Sequence, residues 1–194
     1  MTDILGTPGP DDITGSRENE NIRGLDGNDT LYGRAGDDVL IGGDTKNGEP
    51  DGDIEMFGRD GDDLMYGGRG GDGLFGQGGN DTLIGGNGGD GLAGGDGDDL
   101  LYGGRGNDFL SGGGGADVFA FSGRAIGYDE ITDFVFGEDK IQIDAGGVND
   151  IGDLTFTDMA AGVVITWLAQ GIEQAVQVDG ANSEQFSASD FIFV

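Results

Sequence analysis

The chain has 194 residues, a length that fits one ordinary domain or one elongated repeat array with a cap, and 45 of them are Gly. Asp and Glu number 38 against 9 Lys and Arg, a net charge of −29 that repels nucleic acid and anionic membrane surfaces and attracts multivalent cations. With neither Cys nor His, disulfides, thiolate zinc sites and the commonest general base are excluded.

The N-terminal run MTDILGTPGPDD lacks a basic stretch followed by an apolar one, so it predicts no secretory signal peptide. No run of about 18 apolar residues follows, so no membrane span is predicted. From Gly6 the chain falls into nines: GTPGPDDIT, GSRENENIR, GLDGNDTLY and GRAGDDVLI, then a longer unit over 42–57, then seven more nines from Gly58 to Ala120. Across these twelve units, position one is always Gly, and position four is Gly in all but the second, which has Glu18. Position six is Asp in ten units, Glu20 in the second and Ile54 in the irregular fifth. Position eight is apolar throughout, from Ile13 and Ile22 to Leu110 and Phe119.

Acidic, Gly-rich chains tend to stay disordered because they bury too little apolar surface to offset lost conformational entropy. A fixed apolar column is what disorder does not need. Gly at positions one, two and four suits a tight loop, and the last three residues of each unit alternate outward, inward, outward, placing position eight in a core. One unit cannot bury that side chain alone, whereas stacked units can. The expected fold is all-β: a right-handed parallel β-roll with two units per coil and two facing sheets over 1–120, followed by a C-terminal β-rich cap over 121–194.

The unit resembles the G-G-x-G-x-D-x-U-x nonapeptide of repeats-in-toxin (RTX, hemolysin-type) proteins, and the resemblance covers residues 6–120. It implies calcium held between successive loops on one edge, so that unit n shares ions with unit n+2, on the order of eight ions in all. Carried onto this chain, it implies carboxylate ligands at Asp11, Asp29, Asp38, Asp63, Asp72, Asp81, Asp90, Asp99, Asp108 and Asp117. Carbonyl donors are implied at Gly68, Gly70, Gly86, Gly88, Gly95, Gly97, Gly104 and Gly106. Glu18 and Glu20 in unit two and Ile54 in unit five depart from the motif and weaken the sites they touch. Solvated D-G and N-D turns alone would not require Asp at one phase ten times. An EF-hand would need helices, in which Gly at this density costs about 1 kcal/mol per residue.

Beyond Phe121 the Gly period stops. The segment Asp129 to Asp144 resembles the stretch that closes the repeat domain of serralysin-type proteases, and its alternation predicts a hairpin around Gly137. Strands are predicted at Leu154 to Thr157, Val163 to Leu168 and Glu173 to Val178, with a turn at Gly171. The ending SASDFIFV, Ser187 to Val194, reads as a last strand and also resembles the uncleaved C-terminal signal of type I secretion substrates. That resemblance implies a secreted, extracellular protein that stays unfolded until it meets calcium outside the cell.

The reading favoured by residues 6–120 is a calcium-binding and folding module. The alternative is a polysaccharide (alginate)-binding part of a larger extracellular enzyme, since repeats followed by a β-rich tail also resemble the R-modules of mannuronan epimerases; Arg34, Arg59, Arg69 and Arg105 sit near the loop rims. No enzyme is expected: protease and lipase chemistry needs the absent His, and most acids of a possible carboxylate pair already lie in the repeat phase. Outward positions seven and nine of the even units are largely apolar, including Val39, Ile41, Leu64, Tyr66, Leu100 and Tyr102, whereas the odd row is smaller and more polar. Such a face predicts a cover: the C-terminal strands folding back, a second copy in a homodimer, or a ligand with a flat apolar face.

Overall fold

A computed structural model of the chain describes residues 1–43, 54–122 and 127–194. Period-two alternation within each unit produces short strands separated by glycine loops. In chain order these are β1 (Thr2–Leu5), β2 (Asp12–Thr14), β3 (Glu20–Leu25), β4 (Thr30–Ala35), β5 (Val39–Gly43) and β6 (Glu55–Asp60). The array continues with β7 (Leu64–Arg69), β8 (Gly73–Gly78), β9 (Thr82–Asn87), β10 (Gly91–Asp96), β11 (Leu100–Arg105), β12 (Phe109–Gly114) and β13 (Val118–Ser122). After it come β14 (Tyr128–Ile131), β15 (Lys140–Asp144), β16 (Thr155–Asp158), β17 (Gly162–Ala169), β18 (Ile172–Asp179) and β19 (Phe191–Phe193).

Successive strands alternate between two sheets. One has nine strands in the order β1-β3-β5-β7-β9-β11-β13-β15-β19, and the other ten in the order β16-β17-β18-β14-β12-β10-β8-β6-β4-β2. Within the repeats every pairing is parallel and joins equivalent positions two units apart, as Leu83 with Leu101 and Leu74 with Leu92. This is the two-sheet roll that the nine-residue period predicts. The long unit does not break it, because Leu31 pairs with Met56 and Tyr32 with Phe57 in the same register. The rest of that unit, 44–53, lies outside the described residues.

The position-eight side chains form one line between the sheets. Leu31, Leu40, Met56, Met65, Leu74, Leu83, Leu101 and Leu110 are fully buried, and Ile13 at the first coil is partly buried. Ile131 and Ile141 extend the line past the last glycine repeat, both at zero exposure.

The segment around Gly137 is a correction to the sequence reading. β14 and β15 do not form a hairpin; they belong to opposite sheets, β14 pairing in parallel with β12 and β15 with β13. Alternation fixes which side chains face a core but not which strand is the neighbour. Here the open end of the roll supplies a parallel partner for each strand and a core line for Ile131 and Ile141. The predicted strands at 154–157, 163–168 and 173–178 are present as β16, β17 and β18, an antiparallel meander that turns at Gln170 (φ +52°) and Gly171 (φ +83°). β18 docks in parallel on β14 and β19 on β15. Phe134, Phe136, Phe156, Phe186 and Phe191 close the core end, with ring centroids 4.9–6.0 Å apart.

The C-terminal strands therefore lengthen the two sheets instead of folding over the even-unit face, where Tyr66 and Leu100 each remain 37% exposed. The odd-unit face is less polar than its composition suggests: Tyr32, Phe57 and Phe75 stack in a ladder with centroids 5.1 and 5.0 Å apart. Among the described residues no helix is long and apolar enough to cross a membrane.

Neighbouring Leu100 and Leu101 point to opposite sides of β11, at 37% and 0% exposure. Leu101→Ala is expected to destabilise the calcium-loaded protein by about 2–5 kcal/mol, through lost burial and a cavity that parallel strands cannot close. Leu100→Ala should cost about 0.5 kcal/mol. Thermal unfolding of the two variants in saturating calcium checks the inside-outside assignment.

Candidate metal centres

The loops owe their shape to two glycine columns. At position one, a Cβ on Gly76 would collide with Asp81 Oδ2 and would lie 2.7 Å from the carbonyl oxygen of Gly94, two units on. The same relation recurs at Gly58, Gly67 and Gly85, which accounts for the one column without exceptions. At position four the left-handed backbone (Gly88 φ +150°, Gly106 φ +139°) brings each glycine against the carbonyl of the equivalent glycine one coil earlier.

Of the ten expected carboxylate ligands, nine are buried at 1–3% exposure: Asp29, Asp38, Asp63, Asp72, Asp81, Asp90, Asp99, Asp108 and Asp117. Each has its Oδ1 occupied. Asp63 N–H donates to Asp81 Oδ1 at 2.7 Å, Asp81 N–H to Asp99 at 2.7 Å, and Asp99 N–H to Asp117 at 2.9 Å. On the opposite edge Asp72 N–H donates to Asp90 and Asp90 N–H to Asp108, both at 2.9 Å. The other oxygen, Oδ2, has no hydrogen-bond partner in Asp29, Asp38, Asp63, Asp81, Asp90, Asp99, Asp108 and Asp117. The tenth, Asp11, is only partly buried, and its Oδ2 accepts hydrogen bonds from Thr7.

A buried, unpaired carboxylate oxygen costs several kcal/mol unless a cation or a proton answers it. Among the described residues no group of three acidic side chains converges on a point, so a cation here must complete its shell with backbone carbonyls. Those are at hand. The carbonyls expected at Gly68, Gly70, Gly86, Gly88, Gly95, Gly97 and Gly106 each abut a glycine of the following coil; Gly104 (φ +106°) has the same left-handed backbone. Position-one carbonyls such as Gly94 O and the unpaired Oδ2 of Asp81 both border the space that a Cβ on Gly76 would fill, and the sequence reading did not name them. One carboxylate oxygen and several carbonyls per loop make the hard, all-oxygen surroundings that suit calcium. The residues present fit that ion.

The two weak units behave as their sequences imply. Ile54 is buried in the place that Asp holds elsewhere, its side chain against Gly42, and offers no oxygen although its N–H still donates to Asp72 Oδ1 at 3.0 Å. Glu20 is buried and its carboxylate is held by Ser16.

Residues 14–45, 57–92 and 84–119 match the family model of the RTX calcium-binding nonapeptide repeat (4 copies). The chain carries RTX calcium-binding repeats. Among solved structures, the RTX chain is similar to the extracellular lipase LipA of Serratia marcescens, at 22% identity and TM-score 0.42 over 95% of this chain and 40% of the lipase. It thus spans about two fifths of that protein's length. It is also similar to two subunits of the Azotobacter vinelandii mannuronan C5-epimerase. AlgE6R3 shows 22% identity and TM-score 0.32 over 96% of this chain and 80% of that one; AlgE6R2 shows 26% and 0.42 over 77% and 95%. No curated protein matches the chain.

Two features of the RTX edges lay outside the sequence reading. Asp129 and Asp139 continue the position-six ladder, accepting from Asp108 N–H and Asp117 N–H at 3.0 Å each. Their spacing of 21 and 22 residues, instead of 18, hid them in a stretch without the glycine period. A second ladder runs along position five of the even units: Asn80 N–H donates to Asp62 Oδ1 at 2.7 Å and Asp98 N–H to Asn80 Oδ1 at 2.8 Å. Its signal is an Asp or Asn at that position in every even unit but the last: Asn19, Asp37, Asp62, Asn80 and Asp98.

Burial pushes these carboxyls up, opposed by the backbone N–H on Oδ1 and reinforced by neighbouring carboxylates. Asp63 and Asp99 rise to about 7, Asp81 and Asp90 to about 6, and Asp129 to about 8, all from 3.8. Folded values above unfolded ones mean that the calcium-free roll holds more protons than the unfolded chain from about pH 4 to 8, so its stability falls as pH rises through that window. In chelator, the β-sheet circular dichroism signal and melting midpoint should therefore be higher at pH 5.5 than at pH 8, and the calcium midpoint should move to higher concentration at the lower pH. A calcium-free melt that rises with pH contradicts this assignment.

Proposed function

We propose that this chain is a calcium-driven folding module of a secreted protein. The observation that carries the reading is the set of eight buried Asp Oδ2 atoms without partners, of Asp29, Asp38, Asp63, Asp81, Asp90, Asp99, Asp108 and Asp117, along edges that also present loop carbonyls. Asp29, Asp38, Asp63, Asp72, Asp81, Asp90, Asp99, Asp108 and Asp117 would hold the ions, on the order of eight in number given sharing between loops. Bound calcium supplies positive charge where a net −29 repels itself, and its binding energy is then folding energy. Extracellular modules of this kind are tuned to roughly millimolar calcium. The role is binding and folding; catalysis is not proposed.

Chelated protein should lose most of its β-sheet spectrum and cooperative melt, and calcium should restore both. Asp99→Ala, which removes an unpaired oxygen from the middle of one edge, should raise the calcium midpoint severalfold, whereas Glu20→Ala should change it little. Calorimetric titration paired with circular dichroism measures both. A chelated sample that keeps a full β-sheet spectrum defeats the proposal.

A second reading, binding of an anionic polysaccharide as part of a larger extracellular enzyme, is favoured by one surface. Arg17, Arg34 and Arg59 line a single groove, although cations are scarce in this chain. Arg34 and Arg59 pair in register at φ +89° each, a left-handed conformation that side chains adopt at a cost. The Arg59 guanidinium lies 5.6 Å from the Tyr32 ring centroid, at the end of the aromatic ladder. Calcium-loaded protein should be retained by a polyuronate column at low salt, and Arg34→Glu with Arg59→Glu should abolish retention without altering the melt. Failure of the unaltered protein to bind refutes this second reading.

A further inference from the structure

The first coil departs from the rest in a way that bears on where the ion ladder begins; the argument rests on the calcium reading above. In units three, four and six to twelve, position two takes a left-handed backbone: Leu25, Arg34, Arg59 and Gln77 at φ +82° to +89°, and Gly68, Gly86, Gly95, Gly104 and Gly113 at +99° to +122°. Thr7 and Ser16, the position-two residues of units one and two, are not in that conformation. Instead each turns back on its own position-six acid. Thr7 N–H donates to Asp11 Oδ2 at 2.5 Å, and its hydroxyl donates to the same oxygen at 3.0 Å. Ser16 N–H donates to Glu20 Oε2 at 3.1 Å and its hydroxyl to Oε1.

The contrast is one of satisfied against unsatisfied oxygens. In units three, four, six and eight to twelve the second carboxylate oxygen is buried without a partner; in units one and two the chain's own donors occupy that oxygen. The extra methylene of Glu20 lets its carboxylate reach both the N–H and the hydroxyl of Ser16 while Glu20 itself stays buried at 2% exposure. Hydroxyl and amide donors around a carboxylate are the hydrogen-bonded alternative to a cation. The far end of the same edge repeats the device. Asp139 accepts from Asp117 N–H on Oδ1 and from Val135 N–H on Oδ2 at 2.7 Å, so the even-edge ladder ends on protein donors at both ends.

We infer that loops one and two close without calcium, that the spaces between units one and three and between two and four hold no ion, and that Asp11 is not a ligand. The first coil is then a preformed edge on which the calcium-dependent coils stack. Its hydrogen bonds are present before any ion binds, so the ladder starts from a strand pair already in register.

The test is the number of calcium ions bound per chain at saturation, by equilibrium dialysis with metal analysis, with circular dichroism on each variant to report folding. Asp11→Asn and Glu20→Gln should leave the count unchanged, whereas Asp99→Asn should lower it by at least one. The triple change Ser16→Gly, Glu18→Gly and Glu20→Asp converts loop two into the GGRGND of Gly103 to Asp108, and should add one ion. Loss of an ion in Asp11→Asn or Glu20→Gln with the β-sheet spectrum retained, or no gain in a folded triple variant, overturns the inference. An unchanged count in folded Asp99→Asn instead overturns the calcium assignment beneath it.

Discussion

A carboxylate buried with one oxygen hydrogen-bonded and the other unanswered is the element from which the rest of this molecule follows. Oδ1 of each ladder Asp takes the N–H of the equivalent residue one coil earlier, which fixes the stacking distance and the register of the edge. Oδ2 is left against the position-one glycine and a carbonyl of the next coil. The requirement that nothing larger than hydrogen stand there accounts for the glycine column. Both edges thus carry a row of buried carboxylates, each with an oxygen that a cation or a proton must answer.

The core offers little to offset that burial. It is one residue wide along the roll, a single position-eight side chain per unit between sheets of short strands. Each coil touches only its neighbours, so stability accumulates by nearest-neighbour terms, with no large interior to draw on. The C-terminal region differs. Its five-phenylalanine cluster and the Phe121–Trp167 contact at 6.0 Å form a compact, non-repeating core, and the meander β16–β18 covers the end of the roll.

Much of this was legible in the residues because the repeat writes one structural role per column. Position eight named the core, position six the edge acids, and Ile54 and Glu20 stand out as exceptions in that column. What escaped had no column. Asp129 and Asp139 occupy position-six places at irregular spacing, so only the stacking of β14 and β15 reveals them. The strand pair around Gly137 had the alternation of a hairpin, yet its partner was the open end of the roll, a choice that depends on three-dimensional neighbours. Thr7 and Ser16 looked like ordinary loop variation, because their effect appears only when the oxygens they occupy are compared with those left bare elsewhere.

The common step of 18 residues between bonded partners has a consequence for how such a chain can change over generations. Every backbone link along the roll joins like to like one coil apart, so removal of Gly76 to Ala93 would place Gly94 after Phe75 with all columns in phase and both sheets one strand shorter. Similar coils also invite slippage between copies of the coding sequence. The step from Asp38 to its partner Asp63 is 25 residues and Leu31 still pairs with Met56, so a coil can also be lengthened with the register kept. Whole-coil gain and loss are therefore the easy variations for this architecture, and single-residue insertions within a coil the hard ones.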